Sequence, residues 1–134
     1  MKTQTTKRKL SISIYDKVNN LSKLYKYLGT KKEDVLLFIT PSSRYEKYIN
    51  ACALIPKIAA TYNEDKILDW TNTNQPKYLP YKYFGSGQWV VGFLVWCGSL
   101  YCPSGFYFHS EKAAREAYSN FTSVFEDFWE INNP

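Results

Sequence analysis

The sequence predicts an α+β domain in which amphipathic helices pack against a small antiparallel sheet of three to four strands, arranged as a meander. Apolar residues recur at helical spacing in the first half and at the C-terminal end, each time after a capping residue. Between them, residues 78–108 hold 11 of the chain's 24 aromatic residues, interrupted by glycine and serine as expected of successive strands. At 134 residues with 45% hydrophobic and 22% charged content, the chain suits one core.

The first elements follow from short patterns. Residues 1–9 are predicted as a basic arm, and residues 10–134 as a single domain. Residues 10–14 alternate apolar and serine side chains, which predicts a short edge strand. From Asp16 as N-cap, apolar residues recur at helical spacing until Gly29 supplies a C-cap, so a helix is expected with lysines 17, 23 and 26 on its outer face.

The second helix has a well-marked start, because Ser43 and Glu46 have the spacing at which each side chain satisfies the other's backbone N–H. It is expected to reach residues 63–65, with a kink or a break at Pro56. Residues 69–80, rich in Asn, Thr and Pro, predict an ordered loop whose Trp70 reaches the core.

Three strands are then predicted at residues 81–84, 88–97 and 106–109. Both faces of the middle strand are apolar, so it is expected to be central and covered on both sides. Ser110 predicts the N-cap of a last helix, with an apolar stripe that continues to Phe128.

Charge is uneven along the chain and suggests a partner. Residues 1–67 carry 13 Lys and Arg against 6 Asp and Glu, whereas residues 68–134 carry 4 against 6. Basic side chains beside aromatic ones are typical of surfaces that bind single-stranded nucleic acid. The residues predicted to form such a surface are Lys7, Arg8, Lys9, Lys23, Lys26, Lys77, Tyr78, Tyr81, Lys82 and Tyr83.

Catalytic and metal chemistry are less favoured. Cys97, Cys102 and His109 lack the paired spacing and the fourth ligand of a structural zinc site, so no metal and no cofactor are expected. His109, the sole histidine, would need Cys102, Ser104 or Ser110 as a nucleophile, but no nucleophile motif surrounds it. An enzyme using His109 is therefore the third hypothesis, behind two kinds of binding protein.

The cysteines and the hydropathy bear on location. Three cysteines form an odd set, and no secretory signal peptide is recognised, so a reducing cytoplasm is expected. The longest uncharged apolar run, residues 89–97, is shorter than the roughly 20 residues of a membrane-spanning helix. No membrane partner is predicted.

The segment 69–78, with the pattern D-W-x-N-x-N-Q-x-K-Y, is followed by Pro80, an aromatic strand, Gly/Ser turns and the run 108–114. This arrangement resembles an uncharacterised family of small proteins common in Bacteroidetes and their phages and prophages. The resemblance covers roughly the C-terminal two thirds. At residues 107–110 the family commonly has a Cys-Phe-Lys-Ser-like run, so His109 is not a family feature.

The resemblance implies a phage or mobile-element context and favours a binding protein over a metabolic enzyme. The leading hypothesis is an accessory protein of the host cytoplasm that contacts nucleic acid or a nucleotide through its basic half and its tyrosines. The alternative is a virion-associated or oligomeric protein whose aromatic residues form a protein interface.

Overall fold

The computed structural model describes residues 12–64, 66–96 and 104–131, and these have an α+β fold, as predicted. A 3₁₀ turn at Ser104–Phe106 precedes the last two helices. The other elements, in chain order, are α1 (Ile14–Lys17), α2 (Leu21–Leu28), α3 (Lys32–Val35), α4 (Arg44–Asn63), β1 (Lys77–Gly85), β2 (Gln88–Trp96), α5 (Glu111–Asn120) and α6 (Thr122–Glu130).

The predicted edge strand at residues 10–14 is wrong for the part that the structure describes, because residues 12 and 13 lie outside any strand and α1 begins at Ile14. The Ser13 hydroxyl accepts from the Asp16 N–H at 3.2 Å and donates to its carboxylate at 3.0 Å. This local capping outweighs a five-residue alternation, since it satisfies backbone donors without a partner strand. Asp16 thus belongs to α1.

The N-cap of α2 is Asn20, whose side-chain oxygen accepts from the Lys23 N–H at 2.9 Å. Gly29 ends α2 in the left-handed conformation, φ 64°, which confirms the predicted C-cap. Lys23 and Lys26 are exposed on α2, as predicted, whereas Lys17 belongs to α1, so the single predicted helix is in fact two.

The longest helix is α4, and it starts where the sequence predicts. Ser43 caps it by accepting from the Glu46 N–H, while the Glu46 carboxylate accepts from the hydroxyls of Ser42 and Ser43. The helix continues through Pro56 to Asn63, so the predicted break does not occur. A proline removes one intrahelical bond, and the apolar face that α4 buries offsets that loss.

The predicted last helix is two helices. Ser110 caps α5 through the Ala113 N–H at 3.1 Å, as predicted. At Phe121 the backbone leaves the helical region, with φ −126° and ψ 37°, and α6 begins directly after it. The turn allows Phe121, Val124 and Phe125 all to be buried against the other helices.

The buried apolar side chains of the described residues form one cluster, centred on α4, α5 and α6. The Tyr62 hydroxyl lies within it, donates to the Val18 carbonyl at 2.7 Å and accepts from the Asn120 amide at 2.9 Å. The same amide donates to the Tyr15 carbonyl at 3.1 Å. No helix in the described ranges combines the length and hydropathy that crossing a membrane requires.

The sheet has two antiparallel strands, β1 and β2, so the predicted three- to four-stranded meander is wrong for the described residues. The predicted third strand contributes a single bridge, in which Phe108 exchanges two backbone hydrogen bonds with Tyr78 at 2.7 and 2.9 Å. The Asn63 side chain bonds the neighbouring backbone, donating to the Tyr107 carbonyl at 3.0 Å and accepting from the His109 N–H at 2.9 Å. A helix side chain thus takes the backbone groups on the side of this segment that faces away from β1, so the segment is held by α4 there.

Candidate interaction surface on the aromatic hairpin

Strands β1 and β2 are joined by the two-residue turn Ser86-Gly87, at which both residues have positive φ, 52° and 79°. This is the type I′ geometry that matches the twist of an antiparallel hairpin. The register pairs Gly85 with Gln88 and ends with Lys77 opposite Trp96. Every residue of both strands is therefore placed on one of two faces by its parity.

One face of the hairpin packs against α5 and α6. The Arg115 guanidinium lies 4.3 Å from the centroid of the Phe93 ring, and Lys82 forms a 3.1 Å ion pair with Glu126 of α6. The Lys82 ammonium also lies 5.5 Å from the centroid of a ring of Trp89. These contacts anchor the middle of the hairpin, while the large side chains next to its turn stay exposed.

The opposite face carries Tyr81 and Tyr83, whose rings stack with centroids 5.3 Å apart at 23°. The Tyr81 ring also covers Gly92 of β2, because a Cβ at that position would lie 2.8 Å from a ring carbon. Glycine at position 92 thus allows the tyrosine to lie flat across the hairpin.

Four large side chains of the hairpin are exposed, Tyr83 on the outer face and the other three on the face that carries Phe93, and we call the four together the hairpin surface. Their exposed fractions are 42% for Tyr83, 62% for Phe84, 53% for Trp89 and 49% for Val95. Phe84 and Trp89 meet edge to face at 5.4 Å, next to the turn. The prediction that the middle strand is central and covered on both sides is wrong for the described residues, because β2 is an edge strand there and Trp89 lacks a third strand that would cover it.

Two of the predicted nucleic-acid-binding lysines are already engaged. Lys77 has no exposed surface; its ammonium donates to the carbonyls of Asn72 and Gln75 at 3.2 and 3.0 Å and lies 5.0 Å from the centroid of a ring of Trp70. Lys77 cannot reach a phosphate, so its predicted binding role is wrong. Lys82 is held by the ion pair and the ring contact described above.

The remaining residues predicted to bind nucleic acid do not lie on one surface of the described structure. Tyr78 is half-buried and packs on the core, whereas Tyr81 and Tyr83 lie on the outer face. Lys23 and Lys26 are exposed on α2, and no described hydrogen bond, ion pair or ring contact joins α2 to the hairpin. Lys7, Arg8 and Lys9 lie outside the described residues.

The loop that leads into β1 is ordered by its own side chains, as predicted, but the predicted bounds 69–80 are wrong because β1 begins at Lys77. Asp69 accepts from the N–H and the hydroxyl of Thr71 at 2.9 and 2.6 Å, and the Asn72 side chain accepts from the Asn74 N–H at 2.9 Å. Trp70 packs edge to face on the buried Tyr107 at 5.1 Å. The loop therefore closes around the ammonium of Lys77.

His109 lies beside a small cleft of about 130 Å³ that is also lined by Tyr15, Glu64 and Lys66. Burial, together with the Lys66 ammonium, lowers the pKa of His109. Ser110, one of its predicted nucleophiles, uses its hydroxyl to cap α5. The other two, Cys102 and the side chain of Ser104, lie outside the described part of the structure.

Metal binding has no support among residues 12–64, 66–96 and 104–131, where no three His, Cys, Asp or Glu side chains are grouped to hold an ion. Cys97 and Cys102 of the predicted soft-ligand set lie outside those ranges. Comparisons with protein-family models, curated proteins and solved structures find no match for this chain. Function is therefore argued from the geometry of the hairpin.

Proposed function

We propose that this protein acts by binding another protein through the hairpin surface, defined by Tyr83, Phe84, Trp89 and Val95. The observation that carries the proposal is that these four apolar side chains remain 42 to 62% exposed, on an element that the helical core holds firmly in place. Aromatic residues in exposed apolar patches are typical of protein interfaces, where they supply most of the binding energy.

The charge of the hairpin favours a protein ligand over nucleic acid. Nucleic-acid affinity depends on cations that are free to neutralise phosphates. The two cations of the hairpin, Lys77 and Lys82, are committed to carbonyls and to Glu126 respectively. Its exposed side chains are uncharged, as at the core of a protein interface.

Single-stranded nucleic acid is the second candidate, and the stacked pair of Tyr81 and Tyr83 favours it. Stacked rings accept bases regardless of sequence, and each stacked base contributes about 1–3 kcal/mol. The exposed Lys23 and Lys26 would supply phosphate contacts, together with the basic residues of the arm. In either case the proposed setting is that of a phage-type accessory protein, in the host cytoplasm or associated with the virion.

Photo-crosslinking tests the main proposal and separates the two candidates. A photoreactive phenylalanine analogue would replace Phe84 in one variant and Ile67 in another, each expressed in cells and irradiated. Ile67 is a matched control, since it is apolar, 83% exposed and outside the hairpin. We expect protein adducts from position 84 and few or none from position 67.

Equal protein crosslinking from both positions, or none from position 84, would contradict the proposal. Adducts from position 84 that nuclease removes would instead support the nucleic-acid candidate. For that candidate, fluorescence anisotropy with labelled single strands at low salt should show binding that weakens as salt rises, and that Tyr83→Ala together with Lys23→Ala reduces.

A further inference from the structure

The outer edge of β2 has a complete row of backbone groups with no partner among the described residues. Tyr78 exchanges its backbone hydrogen bonds with Phe108, so it forms no hydrogen-bonded pair with Val95, its neighbour in the register. Antiparallel pairing alternates, so residues 89, 91, 93 and 95 direct their N–H and C=O groups away from β1. Pro80 agrees with this pattern, because a proline has no N–H to give and lies opposite Phe93, at a pair that exchanges no hydrogen bond.

The two edges of the hairpin differ in how they oppose further pairing. The edge of β1 carries Pro80 and Lys82 and already meets Phe108 at one end. Strand β2 has the sequence Gln-Trp-Val-Val-Gly-Phe-Leu-Val-Trp, with no charge and no proline over its nine residues. Exposed edge strands ordinarily carry such features because they prevent pairing between molecules, and an edge without them is a template for another strand.

We propose that β2 pairs antiparallel with β2 of a second copy of this chain, about a two-fold axis at Gly92, to form a continuous four-stranded sheet. This inference rests on the proposed function and names the partner. The register uses all nine residues of β2. It also places the outward residues 89, 91, 93 and 95 opposite one another, so that their eight backbone groups, two on each residue, all find partners.

The side chains support the same register. Trp89 of each copy lies opposite Val95 of the other, and Val91 lies opposite Phe93, so each pair joins an aromatic residue to a β-branched one, a stabilising cross-strand combination. Trp89 and Val95 are the exposed large apolar side chains described on β2, 53% and 49%, and both become covered. Gly92 lies on the axis at a pair without hydrogen bonds, where the two backbones approach most closely.

Sedimentation velocity of the full chain over a wide concentration range tests the proposal. We expect reversible association to twice the chain mass of 15.7 kDa. Val91→Pro removes an outward N–H without touching the ladder to β1 and should abolish the dimer. The matched control is Ile67→Pro, which places a proline at an exposed residue outside the hairpin, and it should leave the dimer intact.

Circular dichroism would verify that each variant folds. If Val91→Pro does not fold, Trp89→Ser tests the pairing of β2 instead. Losing the two symmetric Trp–Val pairs should weaken dimerisation on the order of tenfold. A chain that stays monomeric overturns the inference, and so does a dimer that the folded edge variant leaves unchanged. If the dimer is overturned but Phe84 crosslinks to a different protein, the proposed function still stands. If Phe84 forms no protein crosslinks either, both the dimer and the proposed function are contradicted.

Discussion

The helical layer and the hairpin use the same kinds of residue in opposite ways. In the helical layer Tyr62 is fully buried and its hydroxyl has two hydrogen-bond partners, and Phe108, from the segment before α5, is buried in the same cluster. In the hairpin Phe84 and Trp89 are more than half exposed, although the strands around them are well paired. Aromatic content therefore does not define the core of this protein; the number of covering layers does.

The difference separates stability from function. Side chains of the helical layer should govern the free energy of unfolding, because burial and satisfied hydrogen bonds are lost together on unfolding. Side chains of the hairpin surface lose little buried area on unfolding, so they should govern association instead. Substitutions in the two regions are expected to produce separate effects.

The largest contrast is expected between two phenylalanines. Phe108→Ala removes a fully buried ring and should cost about 3–5 kcal/mol in the free energy of unfolding. Phe84→Ala, at a site that is 62% exposed, should cost far less, within about 1 kcal/mol. Urea denaturation followed by circular dichroism measures both, and similar losses would refute the distinction.

Tyr62→Phe keeps the buried ring and removes only the hydroxyl. The Val18 carbonyl and the Asn120 amide would each lose a partner, and we expect a cost of about 1–3 kcal/mol. Burial raises the pKa of Tyr62 to about 12, so the wild type should lose stability as pH rises from 10.0 through that value. Denaturation between neutral and alkaline pH should show that loss in the wild type and less of it in Tyr62→Phe.

Lysines provide a second contrast. Lys77→Met leaves the carbonyls of Asn72 and Gln75 without their donor and should destabilise the protein by about 1–3 kcal/mol. Lys23→Met, on the exposed face of α2, should change stability by no more than about 0.5 kcal/mol. Thermal unfolding measures the stability of the two variants. A melting temperature of Lys77→Met equal to that of the wild type would show that the buried ammonium is dispensable.

The smallest expected effect is a pH dependence due to His109. Its pKa is lowered in the folded protein, so the unfolded chain takes up this proton first. Stability from this group is complete above the unfolded value of 6.5 and declines as pH falls through the lower folded value. His109→Gln should flatten the pH profile of unfolding over this range, and an unchanged profile would assign the slope to other groups.

Local patterns in the sequence predicted three helix caps, although the Asp16 cap was wrong, α3 was not predicted and the last helix is two. The caps at Gly29, Ser43 and Ser110 depend on residues within a few positions, and all three are confirmed. Sheet size was not predictable in this way, since the predicted third strand meets β1 at the single Tyr78–Phe108 bridge and its other side bonds Asn63, 44 residues away from its partner Tyr107.

The exposure of individual side chains was the second feature that the sequence did not predict. The apolar alternation of β2 has the same appearance in a covered central strand and in an open edge, so Trp89 and Val95 gave no signal of their exposure. Lys77 was predicted to bind nucleic acid because basic side chains lie beside aromatic ones in this part of the sequence. The structure instead makes it the centre of the D-W-x-N-x-N-Q-x-K-Y segment, where Trp70, Asn72 and Gln75 surround its ammonium.

The most direct test of the central claim is amide hydrogen exchange of β2, resolved by residue in dilute protein. If the hairpin presents an open binding edge, the amides of Trp89, Val91, Phe93 and Val95 should exchange quickly, and those of Val90, Gly92 and Leu94 slowly. The fast set should become protected as the protein is concentrated. Uniform protection of all seven amides in dilute monomer would mean that the edge is already covered, and would contradict the account.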